Sequence, residues 1–118
     1  MKKYNEILRD LREDLDLTQT NIASLLTTTQ QHYSRYETGE YELPIRHLIT
    51  LSDFYMVSVD YILGRTKYKD TLDSLNRQLT KDITVGELIS DIFRLNEHSR
   101  LSVIEYVQLQ KLKNSQIK

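Results

Sequence analysis

Cysteine is absent from this chain of 118 residues, which excludes disulfides and thiolate metal sites. Glycine occurs three times and proline once, so the residues that break helices and punctuate turns are scarce. No apolar run approaches the length of a membrane span, and the N-terminal stretch lacks the apolar segment of a secretory signal. Neither sign of charge dominates; the formal net charge is −1. These absences predict a mostly helical, cytoplasmic protein that binds no membrane. A near-neutral chain is also a mild argument against nucleic acid, because phosphate neutralisation supplies much of such affinity.

The charge is unevenly spread. Residues 1–66 carry seven Lys/Arg against ten Asp/Glu, whereas residues 67–118 carry nine against seven. Apolar residues recur at helical spacing along most of the chain. Tyr4, Ile7, Leu8, Leu11 and Leu15 define one face of a first helix over residues 4–14, and Asp16 stands where a left-handed residue would end it. Thr18 is placed to cap a second helix over 19–26, with Ile22, Leu25 and Leu26 as its inner stripe and Ala23 as the small residue allowing close approach. Thr27 and Thr28 make the turn. Thr29 caps a third helix over 30–38, closed by Gly39, with Tyr33 and Tyr36 inward and Gln30, Gln31, Ser34 and Arg35 on the opposite side.

Pro44 opens a fourth helix over 45–55, with Leu48, Ile49, Leu51, Ser52 and Tyr55 near its buried side. Ser58 caps a short fifth helix over 59–63, closed by Gly64. The polar stretch that follows reads as a linker. Tyr68, Leu72, Leu75 and Leu79 nevertheless keep a spacing that admits a helical turn. Thr84 then caps an amphipathic helix carrying Val85, Leu88, Ile89, Ile92 and Phe93, and Asn96 caps a last one with Leu101, Ile104 and Val107 as its stripe. His32, His47 and His98 show no metal-ligand spacing and are expected at the surface or at helix edges.

Leu17-Thr18-Gln19, Ile22-Ala23, Thr29-Gln30-Gln31, Ser34-Arg35-Tyr36-Glu37, Gly39, Pro44 and the run Val57 to Gly64 together resemble the phage repressor/Cro-like, or XRE, helix-turn-helix family over roughly residues 4–65. The resemblance implies an all-α chain: a five-helix repressor-like DNA-binding domain (residues 1–65), a linker (66–82) and a C-terminal helical hairpin (83–118) that serves dimerisation. It implies that the third helix enters the major groove of double-stranded DNA. Gln30, Gln31 and Arg35 would then face bases, Gln19 would hold a phosphate, and Thr29 would cap the helix and reach a base or phosphate. Arg12 and Glu37 match a pair that braces the first helix against the third.

The chemistry of the residues agrees with that assignment. A glutamine amide offers a donor and an acceptor that match adenine N6 and N7. Arg35 can fork onto guanine, hold a phosphate or stay in solvent. Ser34, Tyr41 and Arg46 are candidate backbone contacts. Three departures from the family stand out. Thr27 occupies the turn position usually held by glycine, so a reshaped turn is expected. Tyr33 replaces a small aliphatic residue and must be taken into the core or tilt the helix. Glu40 and Glu42 make the following loop acidic where the family's is often basic. The Arg12–Glu37 pair is either a brace or an exposed ion pair of little worth.

A C-terminal helical pair of this size buries too little surface to stand alone, so Leu88, Ile92, Leu101, Ile104 and Val107 are candidates for a homodimer contact. The function expected is a sequence-specific regulator, a repressor binding an inverted-repeat operator as a dimer. The alternative is a protein-interaction module of the antitoxin or antirepressor type, which the acidic loop favours, and a regulatory protein partner is compatible with either. No catalytic motif, cofactor site or metal constellation is expected.

Overall fold

The computed structural model describes residues 2–116. Seven helices follow one another: α1 (Tyr4–Asp14), α2 (Gln19–Leu25), α3 (Gln30–Thr38), α4 (Ile45–Tyr55), α5 (Val59–Ile62), α6 (Val85–Arg94) and α7 (Glu97–Gln116). A 3-10 turn at Leu72–Asn76 stands between α5 and α6. The chain divides into two compact units, one up to Leu72 and one from Asp73 onward. Among the described residues no helix is long and apolar enough to cross a membrane.

Side-chain oxygens set most of the helix starts. Thr18 accepts from Asn21 N, and the Asn21 side chain accepts from Thr18 N in return, which closes a capping box. Thr29 and Ser58 accept from the amides of His32 and Tyr61. Thr84 forms a second capping box with Glu87, and Asn96 accepts from Ser99 N. Left-handed residues follow the helices of the first unit. Gly39 closes α3 at φ 86° and Asp16 follows α1 at φ 56°. At Gly64, φ is 76° and a Cβ would lie 2.7 Å from the Lys2 carbonyl oxygen, so glycine is required there twice over.

The turn between α2 and α3 is not reshaped around Thr27. It takes the left-handed conformation itself, at φ 57°. Amides of Thr27 and Thr28 bond the carbonyls of Ser24 and Ala23, which holds the β-branched residue in a conformation it would avoid in isolation.

The core of the first unit is built from Ile7, Leu8 and Leu11 of α1, Ile22, Ala23 and Leu26 around α2, Tyr33 and Tyr36 of α3, Leu48 and Leu51 of α4, and Val57 and Ile62 around α5. Both tyrosine rings of α3 are taken in completely. Four expectations fail. Leu15, placed on the apolar face of the first helix, is exposed at its C-cap. Leu25 is exposed, because the short α2 turns only Ile22, Ala23 and its capping Leu26 inward. Ile49 is also exposed, and His47, expected at the surface or at a helix edge, is buried beside Leu48 on α4. Its ring packs edge-on to Tyr36 at 6.0 Å, and burial, with Arg46 and His32 nearby, holds its pKa below the usual histidine value.

The second unit differs. Arg100 of α7 donates to the carbonyls of Ile92 and Phe93 at the end of α6, which ties the two helices across Leu95 and Asn96. No described residue of α6, α7 or the preceding 3-10 turn is buried.

Candidate nucleic-acid interface

A buried carboxylate joins α1, α2 and α3. Arg12 of α1 grips Glu37 of α3 with two hydrogen bonds, Nε to Oε2 at 2.8 Å and Nη2 to Oε1 at 3.0 Å. Its third nitrogen donates to the carbonyl of Leu17 at 2.9 Å, in the turn between α1 and α2. The two side chains are 13% and 4% exposed, so water screens this pair little. Burial pushes the Glu37 carboxyl upward, but the hydrogen bonds from Arg12 and Gln19 and the neighbouring Tyr33 hydroxyl outweigh it and hold the group below the usual carboxylate range. The Tyr33 hydroxyl lies beside this carboxylate without reaching hydrogen-bonding geometry, and burial first, then Glu37, pushes its pKa up.

From Glu37 a chain of amides leads to the surface. Gln19 Nε2 at the start of α2 donates to Glu37 Oε1 at 3.1 Å, and Gln30 Nε2 donates to Gln19 Oε1 at 2.7 Å. The exposed Gln30 is therefore oriented from the interior through two intermediates. Gln31, its neighbour at the second position of α3, is exposed and forms no side-chain hydrogen bond among the described residues. Gln30 keeps its carbonyl oxygen and one N–H uncommitted, and Gln31 keeps its whole amide. Thr29 caps the helix beneath them, and Ser34 lies half-buried one turn further along.

Arg35 is occupied within the fold. Its Nη1 donates to the Tyr41 hydroxyl at 2.9 Å, its guanidinium lies 5.2 Å from the centre of that ring, and Glu40 approaches at 3.7 Å. Tyr41 is itself held by its amide on the Arg35 carbonyl and by the His32 ring at 5.0 Å. His32 Nε2 is 3.1 Å from the hydroxyl of the buried Tyr36. Arg46 is exposed at the second position of α4, and Glu42 is exposed in the loop before it. The Gln19 bridge follows from no local pattern, since it joins residues 11 and 18 positions apart, and the Tyr41 platform is formed within six residues by the turn at Gly39, which folds the chain back onto Arg35. The capping box at Asn21 was legible from its spacing after Thr18.

Leu88, Leu101, Ile104 and Val107 are all exposed, and Ile92 is half-buried. Among the described residues no group of three or more His, Cys, Asp or Glu side chains is arranged to hold a metal ion.

The helix-turn-helix family model matches residues 8–62. Two proteins of Bacillus subtilis strain 168 are similar in sequence. The uncharacterized HTH-type transcriptional regulator YqaE is 32% identical over 97 residues, spanning 77% of this chain and 84% of that protein. The uncharacterized HTH-type transcriptional regulator YobD is 37% identical over 67 residues, spanning 57% of this chain and 60% of that one. Two solved structures share the fold. The P22 c2 repressor in complex with synthetic operator 9T superposes with a TM-score of 0.52 at 24% identity, over 56% of this chain and all of that one. A transcriptional regulator from Listeria innocua superposes with a TM-score of 0.54 at 20% identity, over 91% of each chain.

Proposed function

This chain belongs to the phage repressor/Cro-like (XRE) family of DNA-binding helix-turn-helix transcriptional regulators, and from that premise we propose that it is a sequence-specific repressor binding an inverted-repeat operator as a dimer. The observation that carries the reading is the pair of outward amides at the start of α3, one of them oriented by the chain Arg12–Glu37–Gln19–Gln30. With α3 in the major groove, Gln30 and Gln31 each offer the donor and acceptor that adenine requires. Orientation before binding reduces the rotamer freedom lost on contact.

Gln19 keeps a second amide N–H for a phosphate, and the Thr29 hydroxyl, already an acceptor for His32 N, keeps its proton for the same purpose. Arg35 reaches a base or phosphate by leaving Glu40 while the Tyr41 ring continues to support it. Ser34, Tyr41 and Arg46 border the same surface and supply the remaining backbone contacts. The acidic balance of the first unit means that affinity rests on this local set and on helix-terminal amides rather than on a broad basic field. Dimerisation through Leu88, Ile92, Leu101, Ile104 and Val107 sets two reading heads about 34 Å apart, one turn of DNA, or a multiple of it. Repression then follows from occlusion of a promoter.

Selection of bound sequences from random duplex DNA tests recognition and half-site spacing together. An inverted repeat is expected, and Gln30→Ala and Gln31→Ala should each lose about 1–3 kcal/mol on it, with relaxed preference at one base step. Both variants binding the selected operator as well as the parent would remove the base-reading roles. Recovery of no preferred sequence, together with one stoichiometric protein partner, would move the function to the antitoxin or antirepressor class.

A further inference from the structure

We infer that the C-terminal unit is completed by a second copy of this chain, whose α7 crosses this α7 antiparallel about a two-fold axis at Ile104. The inference rests on the dimeric reading above and adds to it the direction and register of the contact. Its starting point is an unfilled groove of about 400 Å³ between the end of α6 and α7, floored by Ile92, Val103, Ile104 and Val107 and edged by Arg100 and Lys111. The same helices bury none of their described residues. Their apolar side chains therefore lack a cover inside the unit, and a groove of this shape fits a helix.

The charge pattern of α7 selects that helix. At 100° per residue, Glu97, Arg100, Leu101, Ile104, Val107 and Lys111 all fall within about 60° of the Ile104 direction. Glu97 and Arg100 stand at the N-terminal end of this face and Lys111 at its C-terminal end, with Leu101, Ile104 and Val107 between. Such a face complements itself only when reversed. An antiparallel copy centred on Ile104 sets Glu97 opposite the partner's Lys111 at both ends, Leu101 opposite the partner's Val107, and Ile104 against itself. A parallel copy would oppose like charges at Glu97, Arg100 and Lys111. A slide of about one turn in one direction brings Arg100 onto Lys111, and in the other direction leaves Val107 opposite His98. Antiparallel helices also oppose their dipoles favourably. One isologous contact of this kind closes at two subunits, which fits a two-headed reader.

The full chain has no cysteine, so a single introduced one reports cleanly. Helix axes about 8–10 Å apart bring Cα atoms on a two-fold within disulfide reach. Ile104→Cys should therefore cross-link to a dimer under mild oxidation, whereas Tyr106→Cys, on the opposite side of α7, should not. In sedimentation equilibrium, Glu97→Lys should weaken the dimer about tenfold or more, since the symmetry doubles each lost pair. The double variant Glu97→Lys/Lys111→Glu should restore it. Circular dichroism on each variant separates loss of pairing from loss of fold. A parent chain that is monomeric at micromolar concentration overturns the dimeric reading and the crossing with it. A dimer in which Ile104→Cys fails to cross-link and the charge exchange fails to rescue leaves the dimeric reading standing and overturns the crossing.

Discussion

The two units of this molecule are both helical, yet they are stabilised by different means. In the first, five short helices close around twelve buried apolar side chains, and a buried ion pair is tied into that core. In the second, α6 and α7 have well-formed caps, and α6 a strongly amphipathic face, but neither has a buried residue among those described. Local signals are sufficient to specify a helix, and an enclosed core is needed to make a unit stable by itself. The contrast divides the labour: the first unit provides a rigid frame that presents two amides and orients one of them, and the second provides an open surface.

The contrast is most directly tested by truncating one leucine in each unit. Leu8→Ala, at a fully buried position, should cost about 4 kcal/mol in urea unfolding. Leu109→Ala, on the exposed side of α7, should change stability by less than about 0.5 kcal/mol. Equal losses at the two positions would erase the distinction between the units.

Next in size is the buried carboxylate. Glu37→Gln strands the Arg12 guanidinium and should cost about 3 kcal/mol near neutral pH. Because the folded-state pKa of Glu37 is lowered from 4.5, its contribution is complete above that value and is lost as pH falls further. His47 also has a lowered pKa, so its protonation favours the unfolded chain and stability should begin to decline as pH falls below 6.5. Unfolding free energy measured against pH should show both limbs in the parent. Glu37→Gln should lack the lower limb and His47→Gln the upper.

A smaller effect is expected at Gln19. Gln19→Ala removes the link that orients Gln30 and should weaken operator binding by about 1 kcal/mol with little change in the fold. Binding measured at fixed salt checks this; an unchanged affinity would mean that Gln30 needs no orientation from the interior. The smallest effect belongs to the second unit. Thr84→Ala removes the capping box of α6 and should raise amide exchange at Val85 to Glu87 through a local loss of under about 1 kcal/mol, without altering the first unit.

Much of the architecture was legible because it is written locally. The bounds of α1, α3 and α4, and the capping roles of Thr18, Thr29, Ser58, Thr84 and Asn96, follow from spacing and side-chain chemistry within a few residues. The misreadings share one cause. Leu25 and Ile49 are apolar residues on the margin of a helical stripe, where periodicity cannot say whether a neighbour covers them. His47 is covered because α4 packs that edge beside Tyr36. Thr27 accepts a left-handed conformation because the surrounding turn holds its own amide and that of Thr28 in place.

The candidate interface divides along the same line. The outward pair Gln30–Gln31 could be read from the cap at Thr29 and the inward tyrosines, since a helix of known start and known buried face has a determined outer face. The distant partners could not be read. That Gln19 bridges Glu37 to Gln30 depends on which helices meet and at what angle. The sequence by itself determined where each helix begins, which way its apolar stripe runs and which residues stand at the start of the third. Only the tertiary structure decided which polar groups are joined through the interior and which apolar stripes are left uncovered, because those outcomes arise from packing between segments far apart in the chain.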